Sequence, residues 1–449
     1  MIGVSLSRWT MSYFAAALVA LVAAEIMMTV GYGFPAATVN APETLILVHV
    51  VAIGWLSLLM CGALLQFLPV LVAQPLYSNE LGLPALVSLV AGLAALILAF
   101  LQLDGRIDPG IPFFAIAAIL LVAGFALILW NLARTMIAAQ TTPLPAQFVI
   151  VGLVGVTFTV ALGATFALVL GRTVAYEPFV ALTAAGLPIH IVAGLGGWLT
   201  FTAMGVSYRL LAMFMLAPEL ERTTTKGALY LGAIALGVAV AGGILMVLLE
   251  GNPSLALLAA LAIGLLALAL YGSDVLHLYR ARKRRNIELN SRMAAFALAS
   301  LAASVAIAVL LLALGRLSDH VDAVVFLTAF GWLSGLGLAQ LYKIVAFLTW
   351  LECYGPVLGK APTPRVQDLV IEARASKWFL LYFLAVWAGT AALLADFPPG
   401  FRFAATVLLV ATIGILAQLV RARRLADVKA AARLPPGVRR PRLLLAHQP

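Results

Sequence analysis

Three stretches of this chain carry the side chains best suited to chemistry. In the first, His49 stands deep in an apolar run and is followed by Gly54, Trp55, Leu56 and Ser57. In the second, His190 precedes Gly197, Trp198, Leu199 and Thr200. The third has Gly331, Trp332, Leu333 and Ser334, with Val324 and Phe326 at the offsets where the other two carry histidine. An imidazole can ligate a metal through a neutral nitrogen, or carry a proton near neutral pH. Holding an ionisable group among lipid-facing segments is costly, so a histidine there is a functional-site hypothesis by default. The bland alternative is a neutral ring donating to a neighbouring carbonyl.

The chain has 449 residues, of which 64% are hydrophobic and 10% charged. A soluble domain has about a quarter of its residues charged, so this is a polytopic membrane protein. Apolar runs of about 20 residues, enough to cross a hydrocarbon core as helices, are separated by short polar or proline-containing turns. Twelve are expected, which makes the fold class all-α. The net charge of +10 does not point to nucleic acid, because its placement follows topology. Taking the connections alternately, 24 of the 28 Lys and Arg fall on the side of both termini, and Arg106, Arg172, Arg316 and Arg402 on the other. The positive-inside rule then puts both termini in the cytoplasm of a bacterial cytoplasmic (inner) membrane. The lipid bilayer is the first partner, met by the basic runs at 280–285 and 421–442. Cys61 and Cys353 are too far apart to suggest a disulfide framework.

The tryptophans of the three motifs are 143 and 134 residues apart, a spacing that reads as an internal repeat. Each motif falls in the second helix of a four-helix unit, so repeats of about 13–140, 145–278 and 293–420 are expected around a pseudo-threefold axis. Residues 1–420 would form a single membrane domain, and 421–449 a loosely ordered basic cytoplasmic tail. Asn40 with Glu43 resembles a capping box for the second helix, which places His49 about 9–13 Å along that helix. Pro188 predicts a start or kink just before His190. Residues 363–374 read as a short amphipathic helix on the membrane surface.

Other candidates have ordinary explanations. Ser318, Asp319 and His320 suit a solvated helix start, and His277 suits the end of the eighth helix. His447 lies in the tail. Gln66, Arg209 and Lys343, each eleven residues after a repeat tryptophan, are expected to snorkel to the interface.

A histidine in the outer part of a second helix, a Gly-Trp six to eight residues later, and three four-helix units with both ends cytoplasmic together resemble the heme-copper oxidase subunit I superfamily. The resemblance covers about 13–420 in topology and the three Gly-Trp helices in motif. His49 matches the second histidine of the family's His-x-His pattern, and His190 the first. The resemblance implies heme b as cofactor, with His49 and His190 as cofactor-binding residues and a cytochrome or other redox subunit as partner. The departures are specific. Family oxidases take heme ligands from helix 10, where this chain has Val324 and Phe326, and copper ligands from helices 6 and 7. Helix 7 here has no histidine, and Gly194 stands where many members have a tyrosine. Copper and dioxygen reduction are therefore not expected; no catalytic residue is assigned, and the residues name no metal.

The functional expectation is heme binding with an electron-transfer, sensing or heme-handling role. The competing classes are a membrane transporter, for which a six-plus-six arrangement is commoner, and a structural subunit without cofactor. The offsets of His49 and His190 from their tryptophans differ by two residues, a rotation of about 200° on a regular helix. The two are therefore not expected to clamp one iron.

Overall fold

The computed structural model describes residues 7–108 and 110–446; His447 lies outside them. Among the described residues, twelve helices are long and apolar enough to cross a membrane: α1 (Thr10–Val30), α2 (Pro42–Leu71), α3 (Gly82–Leu103), α4 (Phe113–Ile137), α5 (Leu144–Leu170), α6 (Leu187–Met215), α7 (Thr223–Leu248), α8 (Ser254–Arg280), α9 (Leu289–Ala313), α10 (Val321–Val357), α11 (Glu372–Leu394) and α12 (Pro398–Arg423). The chain is a multi-pass membrane protein in contact with the lipid bilayer. α2, α6 and α10 are the most enclosed, with 61% to 72% of their apolar windows buried. The motif helices are thus the most buried of the twelve.

The described chain divides into two compact units. One comprises α1, α2 as far as Gly62 and everything from Ile287 onward. In it α1 packs on α2 and α12, α9 on α10, and α11 on α10 and α12. The other runs from Ala63 to Asn286, with α3 on α4, α4 on α5, α5 on α6, and α7 on α8. Small residues set these crossings. A methyl group on Gly62 would lie 2.6 Å from Tyr13 Cβ, and one on Gly155 would lie 2.7 Å from the Trp198 backbone nitrogen. Close backbone approach of this kind is how membrane helices gain dispersion energy without a hydrophobic driving force between them.

Helix starts differ from the sequence reading where proline intervenes. The second helix begins at Pro42 with Ala41 as N-cap and no side-chain cap, so Asn40 is not the cap. Proline's fixed φ and missing N–H suit the first helical position and displace the cap by one residue, which takes Glu43 out of the capping-box position. Pro188 lies in the first turn of α6, which starts at Leu187 after a separate short helix Glu177–Ala185.

The basic tail, as far as Ala446, is docked instead of loose. Arg423 is 3% exposed; it pairs with Glu352 at 2.5 Å and donates to the carbonyls of Arg442 and Leu445 at 2.8 and 3.1 Å. Tyr354 donates to the Arg433 carbonyl at 2.8 Å. Leu425 and Val428 bury against Ala346, Cys353, Tyr354 and Leu369. That cluster also explains why 363–374 forms no surface-lying amphipathic helix. Val366–Leu369 is a single 3₁₀ turn whose Leu369 is wholly buried in the cluster, and α11 starts at Glu372.

Candidate functional site

The Gly-Trp-Leu-Ser/Thr motif has a specific backbone consequence. α2, α6 and α10 each widen to a π-helix over it, at Val50–Ser57, Val192–Phe201 and Leu327–Ser334. The last motif residue binds the widened turn in all three. Ser57 Oγ donates to the Ala52 carbonyl at 2.7 Å, Thr200 Oγ1 to Leu195 at 2.6 Å, and Ser334 Oγ to Ala329 at 2.7 Å. Each bond spans five residues, the π register, so the hydroxyl supplies a second donor to the carbonyl that the wider turn tilts away. The glycine lets the turn pack closely. A Cβ on Gly331 would meet Ser300 Cβ at 2.8 Å, and one on Gly197 would meet Gly155 Cα at 3.1 Å. A shorter π stretch, Val238–Gly242 in α7, forms without the motif.

The tryptophans are structural. Trp55 is fully buried and its indole N–H donates to Ser334 Oγ at 2.7 Å, joining the π segments of α2 and α10. Trp332 is equally enclosed, but its indole nitrogen has no hydrogen-bond partner among the described residues.

His49 is the last α-helical residue before the π segment of α2. Its Nδ1 lies 2.7 Å from the Leu45 carbonyl. A carbonyl only accepts, so Nδ1 carries the proton and the neutral ring keeps its lone pair on Nε2. A backbone acceptor on the far nitrogen is the usual way a ligating imidazole is oriented and made more basic. His190 belongs to the other compact unit and lies against α5. The Phe166 ring is 5.5 Å from it, centroid to centroid, and a Cβ on Gly163 would meet its Cε1 at 3.2 Å. The count of about 100° per residue behind the expected orientations does not hold across π segments, which separate both histidines from their tryptophans.

At the matching place in α10, Phe326 is the last residue before the π segment. It stacks on Phe330 at 4.9 Å and meets Phe401 edge-on at 5.2 Å. For an iron porphyrin the residues of this unit therefore fit one axial bond, from His49, and α10 offers hydrocarbon. Among the described residues no group of three or more His, Cys, Asp or Glu is arranged to hold a metal ion.

His320 is not the solvated cap that the sequence suggests. It is 3% exposed, with Nε2 2.9 Å from the Arg316 guanidinium and Nδ1 4.0 Å from Asp396. Folding the α9–α10 turn over the ring removes it from water. Lys343 does not snorkel freely either, because it pairs with Glu288 at 2.7 Å. Arg209 pairs with Glu219, and Gln66 is buried.

Two buried acids escaped the sequence reading. Asp274 in α8 accepts hydrogen bonds from Thr225 at 2.8 Å, Thr224 at 2.5 Å and Tyr208 at 3.1 Å, with Arg222 at 3.3 Å; it is a fully satisfied structural anchor. Glu25 in α1 is also wholly buried, and accepts from Thr412 of α12 at 2.8 Å. The signal was present in the sequence, since Glu25 is the one charged residue of α1. The histidine motif drew attention away from it.

No protein-family model matches the sequence, and no curated protein matches it. Among solved structures, the chain is similar to a heme-copper terminal oxidase determined by cryo-electron microscopy as a dimer, with a TM-score of 0.56 and 13% identity over 97% of this chain and 84% of that one. At that identity the likeness concerns the fold, which is heme-copper-oxidase-like.

Proposed function

We propose that the chain is a divergent, heme-copper-oxidase-like membrane protein that binds heme b through His49 alone and serves electron transfer, sensing or heme handling, without reducing dioxygen. The observation that carries this reading is the Nδ1 to Leu45 carbonyl bond, which orients the imidazole as a backbone acceptor orients a ligating histidine. Heme, when bound, would supply one-electron chemistry. His49 holds and orients it, and Phe326 keeps the α10 side apolar. His190, in its own unit, does not share that iron.

Residues 1–420 form, in this reading, one membrane domain of three four-helix repeats. The threefold recurrence of the π segment with its hydroxyl bond supports it. So does the packing of α1 on α2, α5 on α6 and α9 on α10, and of α3 on α4, α7 on α8 and α11 on α12. The charge asymmetry supports a bacterial cytoplasmic membrane with both termini and the 421–449 tail inside. A cytochrome or other redox subunit is the partner that the electron-transfer role would call for.

Protein purified from heme-replete cells should show a Soret band that His49→Ala abolishes and His190→Ala leaves in place. A colourless, correctly folded preparation would refute heme binding.

A further inference from the structure

Glu25 has a partner for only half of its carboxyl. Oε1 accepts from Thr412 Oγ1 at 2.8 Å, whereas Oε2 is enclosed with no hydrogen-bond partner among the described residues. No cation pairs with this carboxyl in the described structure, in contrast to buried Glu352, which Arg423 meets at 2.5 Å. An unpaired carboxylate in an apolar interior costs several kcal/mol, by an order-of-magnitude reckoning, whereas the neutral acid needs only one donor and one acceptor.

One helical turn further along α1, Thr29 presents a second enclosed hydroxyl without a partner. Residues four apart share a helix face, so Thr29 stands directly between Glu25 and the end of α1. There a cleft of about 270 Å³ opens, lined by Thr29, Arg402, Thr406, Pro399 and Phe403. Arg402 sits at its mouth, donating to the Thr29 carbonyl at 3.2 Å. Roughly 30 Å³ suffices for a water molecule, so the cleft has room for several.

We propose that Glu25 is a proton-binding carboxyl, loaded from the membrane surface at the α1–α2 end through the cleft between α1 and α12, with Thr29 as the hydroxyl that passes the proton inward. The proton arrives from water, is handed on through the Thr29 hydroxyl and binds Oε2; release retraces the path, so no other reactant is consumed. The groups facing the carboxyl are Thr412 from α12 and, through its field, Tyr382 from α11, whose hydroxyl is committed to the Phe330 carbonyl at 2.8 Å. The titratable group that α2 turns to α1 is Cys61, which faces Tyr13, about 18 Å along the helix from Glu25. The site stands whether or not His49 holds heme.

Infrared spectroscopy of the full chain in liposomes tests this. A carboxylic C=O band should be present at neutral pH, shift down in D₂O, and vanish in Glu25→Gln. Thr29→Leu, which fills the cleft, should slow that shift at least tenfold while leaving the band in place. Wild-type protein gives an independent readout with dicyclohexylcarbodiimide. The acid O–H adds across one C=N bond, and the O-acylisourea rearranges to an N-acylurea that retains the whole reagent. Peptide mass spectrometry should find this adduct on Glu25 and not on Glu352 or Asp274. No adduct on Glu25, exchange unaffected by Thr29→Leu, or protection of Glu25 by sodium ions would each overturn the proposal, the last by making the site one for a metal cation.

Discussion

The π segments of α2 and α10 lie in one compact unit, carry the same four-residue motif, and bind their widened turns with the same hydroxyl at the same register. Their neighbourhoods differ at two points. Before the turn, α2 has an imidazole anchored to Leu45 and α10 has a phenyl ring stacked into an aromatic cluster. Within the turn, the Trp55 indole has an acceptor on the partner helix, whereas the Trp332 indole has none among the described residues. The motif therefore encodes a backbone deformation, and the residue one turn earlier is free to be a ligand or a packing group. A recurring Gly-Trp-Leu-Ser/Thr is evidence for the scaffold, not for a cofactor.

The largest expected effect comes from making α10 like α2. Phe326→His in heme-loaded protein should add a second axial imidazole and convert the spectrum to a six-coordinate, low-spin form. An unchanged spectrum would show that the −6 position of α10 does not face the His49 iron. Next is Ser334→Ala, which removes the Ala329 bond and strands the buried Trp55 N–H, at a cost of about 1–3 kcal/mol in thermal or denaturant unfolding in detergent. Combining it with Trp55→Phe should cost less than the sum of the two, because both break the same bond. Additive losses would mean that the indole is satisfied elsewhere.

Ser57→Ala in α2, which removes the bond to the Ala52 carbonyl, should cost about 0.5–1.5 kcal/mol. A loss at Ser334 no larger than this would show that accepting the Trp55 indole adds nothing to the Ser334 hydroxyl's part in the fold. The mildest effect lies at the far end of α10, where the tail docks. Burial pushes the Asp427 carboxyl up, but the hydrogen bonds and charges of Arg421 and Arg374 together outweigh it and hold it below the usual carboxylate range. A group lowered in this way contributes its stability fully above its unfolded value, and loses it as pH falls through the lower folded one. Protease nicking of the tail should accordingly rise only in strong acid, and Asp427→Asn should show that sensitivity at neutral pH. Acid-independent nicking would place the clamp in the Leu425 and Val428 contacts instead.

Hydropathy and charge placement determined the number of membrane helices, because crossing a hydrocarbon core demands length and apolarity that no other feature of the chain mimics. The repeat was legible because each copy must place a glycine, an indole and a hydroxyl in fixed order, although nothing in that order says that the result is a π turn. That register is seen only in the folded chain, where α1, α5 and α9 pack on the widened helices. The candidate ligand His49 could be read from its apolar setting. Its tautomer could not, since the Leu45 carbonyl is an acceptor only once the helix forms. Tertiary structure alone decided the fate of groups whose partners are distant in sequence. His320, which looks solvated beside Asp319, is sealed by Arg316 and Asp396. The arginine-rich tail, loose by composition, is fixed because Arg423 finds Glu352 at a separation of 71 residues. Glu25 is buried against Thr412 across 387 residues. Local composition sets what can enter the membrane, and long-range packing sets which polar atoms remain unpaired there.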